Sequence, residues 1–228
     1  VWFTWFVLRH CTPVQRQQML ALMAMIFMAL VFFTLYEQTY GSWVLFSDRA
    51  MNHEALGLEW SASQLTFLGA FFILVLAPFF AWLWPRLERR GLNPSKPAKS
   101  AYGLIFAGLA FLVLVWSARH PEANGLTNIW WFVLAYFVLE IGEMLLSPIG
   151  LSAVTQLSVP RVVGLMMGGW FLGTSYSEIL AAELGKLSSI EIPEGAVLDV
   201  ADALSRYDAV FVLSAQIGIG SGILVLIL

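Results

Sequence analysis

The sequence predicts an all-α membrane protein of six transmembrane helices, and three observations carry that reading. The chain is 59% hydrophobic and only 12% charged over 228 residues, more apolar side chain than one water-soluble core of this size can hide. Six apolar runs are each long enough to cross roughly 30 Å of hydrocarbon, which takes about 20 helical residues. The basic residues gather on alternate connections between those runs, as the positive-inside rule requires.

The runs fall at about 19–45, 62–84, 100–118, 130–156, 162–185 and 208–228. Before them, Val1 to His10 is too short to cross and reads as the end of an earlier helix, followed by a cytoplasmic linker through residue 18. No charged leader or small-residue cleavage site marks a signal peptide, and the chain is expected to begin mid-protein. Arg9, Arg16, Arg86, Arg89, Arg90, Lys96, Lys99 and Arg161 share one side of the membrane. The other side has Arg49, Arg119, Lys186 and Arg206 among nine acids, Asp48, Glu54, Glu59, Glu122, Glu191, Glu194, Asp199, Asp202 and Asp208. Both ends are therefore expected in the cytoplasm, with the protein in the inner (plasma) membrane. Trp82, Trp84, Trp116, Trp130 and Trp131 fall near run ends, where amphipathic rings anchor at headgroup level. Residues 85–100 read as a solvated cytoplasmic loop. The acidic connection 186–207 is expected to hold a short surface helix beginning at Pro193.

Several classes of function are excluded. A net charge of −3 with no basic stripe argues against nucleic acid. Cys11 is the only cysteine, so no internal disulfide or cysteine metal site can form. His10, His53 and His120 all sit in connections or at run ends, leaving the apolar interior without a histidine base or metal ligand. GIGSG at 218–222 follows no strand and suits helix packing, not a phosphate cradle. No enzyme, metal site or cofactor is expected.

Chemistry is concentrated in acids inside the apolar runs, where each costs roughly 2.5–3.5 kcal/mol at helix centre on insertion scales. Glu37, Glu140, Glu143 and Glu178 qualify, whereas Glu183 lies close to Lys186 at a run end. The runs contain no intramembrane Lys or Arg to pair with them. The four are then either protonated or face a water-filled cavity lined by basic residues elsewhere, and both conditions suit a proton-coupled carrier. Glu140, Glu143 and Ser147 share one helical face, beside Gly142, Pro148 and Gly150, which permit bending or close approach. In the first run, YEQTYGSW sets Glu37 beside Tyr40 and Trp43, a surface suited to an ammonium group by ion pairing and cation–π attraction. The structural alternative for each is an interhelical hydrogen bond or ordinary packing.

The segments FFTLYEQ (32–38), LAPFFAWLW (76–84), GEMLLSPIGLS (142–152) and GLMMGGWFLGT (164–174) together resemble the C-terminal half of the proton-dependent oligopeptide transporter family of the major facilitator superfamily. The resemblance covers nearly the whole chain and implies helices seven to twelve of a twelve-helix carrier, with Val1 to His10 similar to the end of an inserted hairpin between the halves. It implies proton-coupled symport of di- and tripeptides by alternating access. By resemblance, Glu143 with Ser147 would meet the peptide amino terminus, Glu37 would serve gating and coupling, Trp170 would be the pocket aromatic on helix eleven, and Trp43 a further aromatic. Glu37, Glu140 and Glu143 are the expected proton-coupling groups. Implied partners are a small peptide, protons, the lipid bilayer and an N-terminal six-helix half bearing the family's acidic and arginine cluster. Two positions depart from the pattern: Gly69 and Glu178 stand where many members have asparagine. The alternatives are a carrier of the same fold for nitrate, a drug or an amino-acid derivative, and a membrane assembly subunit without a transport cycle.

Overall fold

A computed structural model of the chain describes residues 2–190 and 198–227. The short α1 (Trp2–His10) leads into α2 (Pro13–Tyr36), a 3-10 turn at Glu37–Tyr40 and α3 (Ser42–Ala50), which together make the first span. The second is α4 (Ala62–Leu65) with α5 (Phe67–Arg89), and the remaining four are α6 (Lys96–Arg119), α7 (Ile129–Leu157), α8 (Val163–Lys186) and α9 (Val200–Ile227). Five of the six are long and apolar enough to cross a membrane. The other, α8, has the length, but the run Thr174 to Glu178 dilutes its apolar surface.

Several boundaries differ from the expected runs, each for a local reason. Helix α2 starts at Pro13, before residue 19, because Thr12 and Gln15 form a reciprocal capping box and proline suits the first helical position. Helix α5 continues through Pro85 to Arg89, so the expected loop 85–100 shrinks to 90–95. Gly91, at φ +66°, ends it with Leu92 N–H donating to Leu87 O at 2.9 Å, and Ser95 caps the start of α6 ahead of Pro97. Helix α9 begins at Val200 instead of 208, absorbing most of the segment expected as a surface helix; Pro193 lies outside the described residues.

Helix α6 is the centre of the bundle, packed most extensively on α9 and α7. Small residues make this possible, since lipid offers no hydrophobic drive between helices and close backbone approach must supply the attraction. A methyl group at Gly218 would lie 2.7 Å from the Gly108 backbone nitrogen, and one at Gly142 would lie 2.8 Å from Gly103 O. Above these crossings, Trp43, Phe46, Phe111, Phe132, Tyr136, Tyr207 and Phe211 form a buried aromatic layer joining α3, α6, α7 and α9. At the outer surface Arg119 holds Asp208 with two hydrogen bonds of 2.7 and 3.0 Å, and Met51–Asn52 pairs in parallel with Thr127–Asn128. Trp82, Trp116 and Trp130 project outward, with the Arg86 guanidinium 4.2 Å over the Trp82 ring.

The first span was expected as one continuous helix and is instead broken at Glu37–Gly41. Gly41 adopts φ −112°, ψ −102°, and its backbone groups are satisfied locally, Gly41 N–H donating to Gln38 O at 3.1 Å and Leu45 N–H to Gly41 O at 3.2 Å. Gln38 supplies the tie: its buried amide donates to Ala181 O of α8 at 2.7 Å and accepts from Ser42 Oγ at 2.8 Å. One side chain thus docks the break on α8.

Two predictions follow from this packing. Gly218→Ala, with backbone on every side, should destabilise the intact protein by about 1–3 kcal/mol, whereas Gly220→Ala, which meets nothing within 4 Å, should not. Thermal unfolding in detergent measures both, and equal effects would contradict the crossing described. Gln38→Leu leaves the Ala181 carbonyl and Ser42 hydroxyl without their partner, and should cost about 1–3 kcal/mol in the same assay.

Candidate functional site

The broken first span, α7 and α8 present one acidic face. The break brings Glu37 to a cleft of about 400 Å³, which Tyr40, Ser42, Leu45 and Glu178 also line. Tyr40 is 64% exposed, its ring open to the cleft side, and Glu178 is exposed on α8. Glu37 lies within electrostatic reach of both Glu178 and Glu143, and Glu143 of Glu140, so the four acids form a connected series. Three exposed ion pairs occur among the described residues, including Glu183 with Lys186 at 2.6 Å, and none involves these four.

Deeper in the face, Tyr36 Oη donates to Glu140 Oε1 at 3.2 Å. Glu140 is fully buried, held between Tyr36 of α2 and Gly69 of α5. A methyl group at position 69 would lie 3.0 Å from Glu140 Oε1, so the missing side chain of Gly69 is the space the carboxyl occupies. The two departures noted in the sequence therefore have structural settings: Gly69 accommodates Glu140, and Glu178 faces Glu37 across the cleft. Glu143 and Ser147 are half-buried one turn further along α7, and Glu143 Oε2 and Ser147 Oγ have no partner in the bundle. Both atoms are themselves buried, so an unsatisfied polar pair lies just inside the acidic face.

The aromatic candidates sit elsewhere. Trp43 is fully buried in the aromatic layer, its ring centroid 5.1 Å from that of Tyr136 and 5.5 Å from that of Phe111, so it packs behind the cleft instead of lining it. Trp170 is 3% exposed and sets the rim of its six-membered ring against Gly150, where any added Cβ would fall 1.9 Å from Cη2. Gly150 on α7 thus seats the α8 tryptophan next to the Glu143–Ser147 face. Sequence reasoning missed Gln38 and Tyr36 as organising residues. Their signal was the polar run YEQTYGSW, in which attention went to the acid and the aromatics.

Comparison with known proteins agrees with this architecture. The POT family model, PTR2, matches residues 5–191. Dipeptide and tripeptide permease A of Serratia proteamaculans (strain 568) is 33% identical over 213 residues, covering 93% of this chain and 40% of that protein. The protein of the same name from Yersinia pestis is 30% identical over 215 residues, 94% of this chain and 41% of that one. A crystal structure of a peptide transporter POT in complex with sulfate superposes with a TM-score of 0.84 at 27% identity, over 99% of this chain and 43% of the other. The chain therefore spans about two fifths of the length of these relatives. The six-helix bundle expected as the C-terminal half of a twelve-helix major facilitator fold is the architecture found, and the chain belongs to the POT family.

Proposed function

We propose that this chain supplies the C-terminal half of the binding site of a proton-coupled symporter of di- and tripeptides that works by alternating access. The observation that carries the proposal is the acidic face of Glu37, Glu140, Glu143 and Glu178, none of which is in an ion pair among the described residues. The matched relatives are named for peptide transport, which supports reading the missing counter-charge as a peptide ammonium group and as basic residues on a six-helix N-terminal half. Glu143, with Ser147 beside it, binds the ammonium end, and Tyr40 offers its exposed ring next to Glu37. Trp170 shapes the wall behind Ser147, and Trp43 supports the broken helix from inside the bundle. Glu37, Glu140 and Glu143 change protonation or partner as the carrier opens to either side.

Both ends of the chain lie in the cytoplasm and the protein resides in the inner membrane, a reading supported by the eight basic residues on that side. Inward proton flow would then draw on the membrane potential, about 2.3 kcal/mol per charge per 100 mV, as well as on the pH difference. The protein is a carrier and not an enzyme.

In proteoliposomes of the intact protein, dipeptide uptake should rise when an inward proton gradient is imposed; uptake indifferent to the gradient would sink the coupling. Competition by a panel of di- and tripeptides, against nitrate and amino-acid derivatives, separates this substrate class from its alternatives. Glu143→Gln should weaken peptide binding by about 1.5–3 kcal/mol, roughly ten- to a hundredfold, by removing a charged hydrogen-bond partner. Glu178→Gln, at the exposed rim of the cleft, should change it far less, and equal losses would mean that the ammonium group is met elsewhere.

A further inference from the structure

We propose that Glu140 and Glu143 share a single proton, held on the buried Glu140 carboxyl and donated to Glu143, so that the pair carries one negative charge. Three geometric facts lead there. The two acids stand three residues apart on one face of α7, which sets their carboxyl groups side by side. Each has a buried oxygen without a partner, Glu140 Oε2 and Glu143 Oε2. Glu140 is wholly enclosed, while Glu143 keeps partial access to the open face.

Two ionised carboxylates cannot donate to each other, and at this separation in an apolar interior they repel strongly. Among the described residues no ion pair relieves them. From α2 the only polar hydrogen comes from Tyr36, which bonds Glu140 Oε1 and also lies within reach of Glu143. It is one donor and cannot satisfy the remaining oxygens of both acids. From the 3-10 turn Tyr40 and Glu37 face the pair, and from its own helix Tyr136 does. Helix α5 contributes Gly69 and helix α6 contributes Phe106 and Ala107 against Gly142, none of them titratable, and Glu178 of α8 faces Glu37 beyond. One proton on Glu140 turns that carboxyl into a donor, provides both orphaned oxygens with a partner, and leaves the negative charge on the accessible acid. The bare backbone at Gly69 leaves the Glu140 carboxyl uncrowded, since a Cβ there would lie 3.0 Å from Oε1.

The charge on Glu143 is then steadied by a neighbour that substrate cannot touch, which makes Glu140 a positioning residue for the ammonium site. The coupling role of this proton rests on the transport reading above, but its presence can be measured whether or not peptide moves. Infrared difference spectra of the intact protein should show, at neutral pH, a protonated-carboxyl stretching band. Glu140→Gln should abolish that band, whereas Glu143→Gln should retain it at a shifted frequency because its acceptor has changed. Tyr36→Phe, a variant that preserves the buried volume, should also shift it without removing it. No such band in the wild-type protein, or one unaltered by Glu140→Gln, or one insensitive to both Glu143→Gln and Tyr36→Phe, would overturn the proposal. In uptake assays Glu140→Gln should lose accumulation driven by the proton gradient; unchanged accumulation would overturn the coupling role of the shared proton.

Discussion

A carboxyl group placed in hydrocarbon must find a cation, a hydrogen-bond donor or a proton, and the interior of this bundle answers that demand without a cation. Its response is distributed across three helices: a phenol from α2, a vacancy left by a glycine on α5, and a neighbouring carboxyl on α7. Removing any one changes what the others must do. Gly69 matters because it lacks a side chain, and Tyr36 because its hydroxyl reaches across from a different span.

The scaffold around this face is uneven in rigidity. Helices α6, α7 and α9 meet backbone to backbone at Gly103–Gly142 and Gly108–Gly218, and an aromatic layer and the Arg119–Asp208 pair close the outer end. The first span and α8 instead pack chiefly on each other, with the Gln38 amide bonded to Ala181, and α5 is the least enclosed of the spans that cross by composition. A rigid three-helix wall thus presents α7 acids toward elements held more lightly, an arrangement suited to repacking without loss of the bundle.

The spans, the acidic face and the packing glycines were legible in the sequence because each depends on something local. Hydropathy over about 20 residues finds a span, and the three-residue spacing of Glu140 and Glu143 already places both on one face. What the sequence hid was decided by contacts between distant segments. No proline announces the break at Glu37–Gly41, and the contact that seats it, Gln38 on Ala181, joins residues 143 positions apart. Trp43 and Trp170 have the composition of pocket aromatics, yet neighbours on other helices bury them. The polar stretch 85–100 looked like loop because its prolines were counted as breakers. In the structure Pro85 sits inside a helix and Pro97 at the start of one, where a proline costs little.

The interruption in the first span also has a mechanical meaning. A rod that bends at one joint moves its far ends most and the joint itself least. Glu37 is at that joint, with Gln38 fastening it to α8, while the rest of α2 extends from it in one direction and α3 in the other. Swinging either arm would carry its tip several ångströms yet leave the Glu37 carboxyl nearly stationary. The charge at the fulcrum could then stay in register with Glu143 while the walls on either side open and shut around it.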